Sequence, residues 1–241
     1  DKQTFGRGMA ETGAAAGTER PGVKTPMGEE FGRSAEEIAN SVTHGVGLGL
    51  SLAGAAVLVL LGAEREGTRH LVGFGVYGAA LVLMYTASTL YHSFRIPRWK
   101  RILQIADHAA NYVLIAGTYT PFTLVNLEGS RWGTTLLWAV WTFAVLGILY
   151  KIFMFGRHPR FSTAAYLVMS WLIFLGMQPI AHLIPVAGII WLLAGGVFYT
   201  AGVWFYRKDR QRFYHAVWHL FVLLGSLCHY IAVLVSTLPV G

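Results

Sequence analysis

Cysteine is almost absent from this chain. One thiol, Cys228, stands among 241 residues, which excludes a disulfide framework and any cysteine-rich metal site. Charge is scarce as well: Asp, Glu, Lys and Arg make up 13% of the residues, where a soluble domain carries about 25%. Half the polar coat of a water-soluble globule is missing. Acidic residues are the scarcer sign, 12 against 19 Lys and Arg, which leaves a formal net charge of +7. The Gly-, Ala-, Thr- and Glu-rich residues 1–36 hold no apolar core of a signal peptide.

What is abundant is apolar surface, at 54% of residues with a mean hydropathy of +0.49. Crossing a hydrocarbon core takes about 20 apolar residues. Seven runs qualify, at roughly 42–62, 71–93, 102–125, 133–155, 163–183, 186–206 and 213–238. Turn and charge residues such as Glu64-Arg65-Glu66-Gly67 and Arg95-Ile96-Pro97-Arg98 part them, and Pro185 alone divides the fifth from the sixth. Cytoplasmic loops of membrane proteins collect Lys and Arg. Here sixteen of the nineteen fall before the first run or in the second, fourth and sixth connections; only Arg65, Arg69 and Arg131 fall on the other side. The predicted fold is an all-α integral membrane protein: a seven-transmembrane helix bundle over residues 34–241, N-terminus cytoplasmic and C-terminus outside, behind a disordered tail of residues 1–33. The asymmetry accounts for the basic balance without nucleic acid. Ser34-Ala35-Glu36-Glu37 has capping-box spacing and predicts a short interfacial helix from about Ser34 into the first span.

Ionisable groups inside a bilayer are costly and usually face the bundle interior. Ser88 and His92 lie one turn apart near the end of the second span. Asp107 follows the second connection, with Asn111 and Thr118 on its face. His215 and His219 form an i, i+4 pair at the start of the seventh span, and Glu37, Asn40, Ser41 and His44 share a face at the start of the first. At ~1.5 Å per residue, His92, Asp107, His215 and His219, from three different spans, lie within about 10 Å of the cytoplasmic boundary. Three imidazoles would leave one position of a tetrahedral zinc ion open for water. Asp107 is either a further ligand or the group that holds and deprotonates that water, the second being preferred. An H-x-x-x-H pair alone fits interfacial hydrogen bonding as well as a metal; His92 and Asp107 at matching depth favour the metal.

Other polar residues read differently. His229 lies on the His215/His219 stripe but about 15 Å deeper, too far for a ligand, and is read as a hydrogen-bonded or cavity-lining residue. His70, His158 and His182 are read as solvated loop residues, His108 as structural, and Cys228 as core. The stretch Gly117–Phe122 predicts a kink in the third span.

Four segments together resemble the bacterial hemolysin III type of the progestin and adipoQ receptor family, within the superfamily that includes alkaline ceramidases. They are Glu37-Ile38-Ala39-Asn40-Ser41-Val42-Thr43-His44, Ser88-Thr89-Leu90-Tyr91-His92, Asp107-His108 with Gly117–Phe122, and His215-Ala216-Val217-Trp218-His219. They stand in family order, and the resemblance covers roughly residues 34–238. It implies a multi-pass protein of a bacterial cell membrane with zinc (Zn2+) held by His92, His215 and His219 on the cytoplasmic side. Asp107 and Ser88 would stand beside the water, with Asn40, His44, Asn111, Thr118 and His229 as cavity lining. The expected activity is zinc-dependent hydrolysis of a lipid amide or ester serving membrane-lipid homeostasis, with membrane lipids as partners. The alternative is a non-enzymatic sensor of membrane state with a structural zinc. A pore-forming cytolysin ranks last, because the spans are too apolar to travel through water and present no charged pore-lining series.

Overall fold

The computed structural model describes residues 26–176 and 182–238. Residues 1–25 of the expected tail and the end of the fifth predicted span lie outside the described residues. Seven α-helices form among those that are described: α1 (Pro26–Ala63), α2 (Arg69–Ser93), α3 (Pro97–Pro121), α4 (Arg131–Met154), α5 (Pro159–Trp171), α6 (Val186–Tyr206) and α7 (Tyr214–Thr237). Their boundaries follow local chemistry. Pro97 and Pro159 open α3 and α5, where a missing N–H costs nothing. Ser130 caps α4 by accepting from the Trp132 N–H at 3.2 Å. The predicted irregularity in the third span is a π-helical turn, Phe122–Asn126, directly after Pro121.

One predicted boundary is corrected. The first helix runs unbroken from Pro26, so the tail ends earlier than residue 33 and Ser34-Ala35-Glu36-Glu37 lies inside a helix rather than at its cap. Proline suits a first helical turn, and the Glu37 carboxylate is engaged elsewhere, as described below.

Five of these helices are long and apolar enough to cross a membrane: α1 over Ser34–Ala63, α2, α4, α6 and α7. The predicted seven spans map onto seven helices, but α3 opens on the basic Pro97–Arg101 turn and α5 has 13 residues. The outer surface is apolar, with Trp138 71%, Phe153 74% and Val186 73% exposed. Such a surface needs lipid rather than water around it.

The most extensive packing joins α1 to α2, α6 to α7 and α2 to α3, through small residues that let backbones approach. Gly78 lies against Ala55 and Gly117 against Ala80. Tyr77, Tyr85 and Tyr112 are fully buried between them. Contacts of α5 with α3, α4 and α6 are sparse. The space this leaves is a cavity of about 390 Å³, lined from Glu37 and His215 at one end to Thr118 and His229 at depth. At the deep end the His229 ring presses on Gly195 and the Tyr199 ring on Gly225, each close enough that a Cβ would collide.

Candidate metal centre

The site forms where α2 ends and α3 and α7 begin, with the early turns of α1 alongside. Two turns of α7 place His215 and His219 on one face, their ring centroids 4.7 Å apart. The last turn of α2 brings His92 to 5.1 Å from His215 and 4.9 Å from His219. One potential ligand nitrogen from each of the three lies within 4.8 Å of the other two. The convergence anticipated from depth alone is therefore present. The backbone ahead of this pair is unusual: Phe213, next to the start of α7, has φ 63°, a left-handed conformation costly for a non-glycine residue. Its N–H donates to Glu36 Oε1 at 2.8 Å, which fixes the entry of α7 against α1.

Hydrogen bonding decides which nitrogens are free. His92 Nδ1–H donates to Glu37 Oε2 at 2.7 Å, and Lys100 Nζ donates to Glu37 Oε1 at 2.5 Å. His92 Nε2 is buried with no hydrogen-bond partner. His219 Nδ1–H points to the Asn40 carbonyl at 3.3 Å, which leaves the lone pair on Nε2. Metal-ligating histidines carry just such a carboxylate or carbonyl on the second ring nitrogen. The donor set fits a borderline-soft divalent cation of the zinc type.

Glu37 is the residue whose role sequence reasoning missed. It was placed on the right face, with Asn40 and His44, but read as a local cap. The signal available was that a ligating histidine needs a carboxylate behind it at the same depth. His44 is also more central than a cavity-lining residue. It stacks on His219 with centroids 3.6 Å apart and 18° between planes, and stands edge-on to Tyr85 at 5.2 Å. Both its nitrogens are buried without partners.

Asp107 and Ser88 line the same cavity, and the Ser88 hydroxyl faces the Asp107 carboxylate. Asp107 stays outside the three-histidine group among the described residues. Asn111 donates to the Asp107 carbonyl at 2.9 Å and Thr118 to the Leu114 carbonyl at 2.8 Å, so both are satisfied within α3 while lining the cavity. His229 donates to the Leu192 carbonyl at 3.3 Å and lines the deep end, remote from the metal group as expected. Cys228 is buried core.

One histidine reading changes. His70 is not a solvated loop residue; it lies in the first turn of α2 and donates to the Thr237 carbonyl at 3.0 Å. Its neighbour α7 leaves that carbonyl without a helical partner, which an imidazole can supply. His108 contacts a cation, Lys151 Nζ, at 3.3 Å. Lys151, counted above with the fourth connection, belongs to the last turn of α4 and is buried, its ammonium 5.5 Å from the centre of the Tyr166 ring and 5.8 Å from that of Phe155. His158 and His182 are exposed.

Residues 33–230 match the family model described as "Haemolysin-III related". The chain is 44% identical to "Hemolysin-3" of Bacillus cereus over 205 residues, covering 85% of this chain and 93% of that protein. It is equally identical to "Hemolysin-3 homolog" of Bacillus subtilis (strain 168) over 199 residues, 83% and 93% of the two chains. A more distant similarity, 26% over 210 residues, reaches the human "Monocyte to macrophage differentiation factor", covering 82% of this chain and 83% of that one.

Proposed function

Because the chain belongs to the haemolysin-III-related family and is a multi-pass integral membrane protein, we propose that it is a zinc-dependent hydrolase of a lipid amide or ester. His92, His215 and His219 hold the metal. The observation that carries this reading is His92: one ring nitrogen donates to Glu37 while the other is buried without a partner beside two further imidazoles.

Zinc bound there supplies a Lewis acid that polarises a carbonyl and brings the acidity of water to near neutrality. The chain's own residues do the rest. Asp107 takes the proton of the attacking water on its carboxylate and returns it to the leaving nitrogen or oxygen. Ser88 donates its hydroxyl proton to the Asp107 carboxylate and so holds that carboxylate in place. Glu37 keeps the His92 proton on Nδ1, with Lys100 steadying the carboxylate. The cavity from Glu37 down to His229 accommodates an acyl chain, its deep wall made by Thr118, Tyr199 and Val222.

In this reading seven helices cross the bilayer, the N-terminus and the metal end face the cytoplasm, and membrane lipids supply the substrate. The side that collects sixteen of nineteen Lys and Arg supports that orientation; reporter fusions at the two termini test it, and activity of an extracytoplasmic reporter at the N-terminus would reverse it. Elemental analysis and a lipid-hydrolysis screen on the same preparation test the reaction. About one zinc per chain with release of fatty acid from a lipid amide or ester, both lost in His215→Ala/His219→Ala, is the expected result. Full zinc occupancy with no turnover on any such lipid would leave the second reading, a structural zinc joining α2 to α7, which the contact of His92 with both His215 and His219 of α7 also supports.

A further inference from the structure

A second pocket opens beside the metal centre, between the start of α3 and the end of α4. It measures about 490 Å³ and is lined by Arg95, Lys100, Arg101, Gln104 and Phe155, with no carboxylate in its wall. Three cations around one concavity repel one another unless an anion neutralises them. Lys100 is partly neutralised by Glu37 at 2.5 Å. Arg95 and Arg101 make no ion pair or hydrogen bond among the described residues. The pocket also receives the N-terminus of the 25-residue α3, which has no side-chain cap and no acidic residue in its first turn. Its first N–H groups and dipole favour an anion at the same spot.

The first two turns of α3 have two faces. At 100° per residue, Pro97, Lys100, Arg101 and Gln104 share the pocket side, and Trp99 and Ile102 stand opposite. Trp99 is 52% exposed and Ile102 49%. An exposed Trp beside a basic row is the signature of the headgroup level of a bilayer. A lipid phosphate at that level can enter the pocket and meet guanidinium groups suited to bidentate contact. We propose that this pocket binds the phosphate of an anionic phospholipid headgroup through Arg95 and Arg101, a site separate from the metal centre and independent of any turnover there.

The abundance of basic residues on this side demands a charge-matched control. Purified full-length protein in neutral detergent is titrated with phosphatidylglycerol, phosphatidylcholine or sodium phosphate, and the thermal unfolding midpoint gives the half-saturating concentration. Lys100 is left intact because it holds Glu37. Phosphatidylglycerol is expected to stabilise the wild type and the Arg207→Gln/Arg210→Gln control equally. Arg95→Gln/Arg101→Gln should require roughly 30-fold more lipid, the combined effect of two basic contacts. The single exposed change Arg101→Gln should require about fivefold more, which keeps the test open should the double variant fold poorly. Equal weakening in the control pair would overturn the proposal in favour of diffuse surface charge, and so would equal stabilisation by phosphatidylcholine. Protection by sodium phosphate that is lost in Arg95→Gln/Arg101→Gln would keep the pocket but make soluble phosphate, not lipid, its ligand.

Discussion

Both ends of the bundle place histidine between helices, and they use it in opposite ways. At the end formed by the start of α2 and the end of α7, His70 donates to the Thr237 carbonyl, Asn126 donates to the carbonyls of Leu183 and Ser236, and Arg69 pairs with Glu128. Donors meet acceptors, and the result is a set of ties between helices. At the other end four imidazoles face one another: His44 on His219, and His92 against both His215 and His219. Bases facing bases leave lone pairs that the protein itself cannot satisfy. The first arrangement ends in itself; the second groups three histidines that could hold a metal ion.

Breaking the second end should have the largest effect. His215→Ala/His219→Ala is expected to remove the bound metal and all turnover, measured by elemental analysis and lipid hydrolysis, while His70→Ala leaves both unchanged. Asp107→Asn should retain the metal yet lower turnover by about 10²–10⁴-fold, the usual worth of a general base; loss of metal in that variant would make Asp107 a ligand instead. Glu37→Gln sharpens the contrast further. It should weaken metal affinity about 10–100-fold through His92 alone, read by competition with a chelator of known affinity, with the unfolding temperature little changed. The smallest effect belongs to the opposite end. Glu128→Gln removes an exposed ion pair and should cost about 0–1 kcal/mol of stability, with metal content untouched.

Much of the site was legible in the sequence because depth along a span is a one-dimensional quantity. Counting residues from the basic connections put His92, Asp107, His215 and His219 at one level, and the folded chain brings the three histidines within reach of a single ion. The match to the haemolysin-III-related family bears out the resemblance read from the same segments. Rotation about each helix and long-range pairing were less accessible. The Ser34–Glu37 spacing is a local pattern and says nothing of His92, 55 residues away, which in fact engages Glu37. Lys151 counted as a connection charge although it falls within the fourth predicted run, 133–155, and α4 carries it to its last turn; that a lysine there is buried depends on what packs against it. His44 could be placed on a face, but its stack on His219 depends on how closely α1 and α7 approach.

The deep end of the cavity is shaped by atoms that are missing. His229 and Tyr199 occupy their positions only because residues 195 and 225 have no side chain. Any larger residue at either place would force a ring off its neighbouring helix, deeper along the bundle than His219: Gly225 lies about 9 Å and His229 about 15 Å along α7 from it by helical rise. For the acyl chain proposed above, those two glycines would set the depth available, and a methyl group added at either would change that depth at a distance from the three-histidine group.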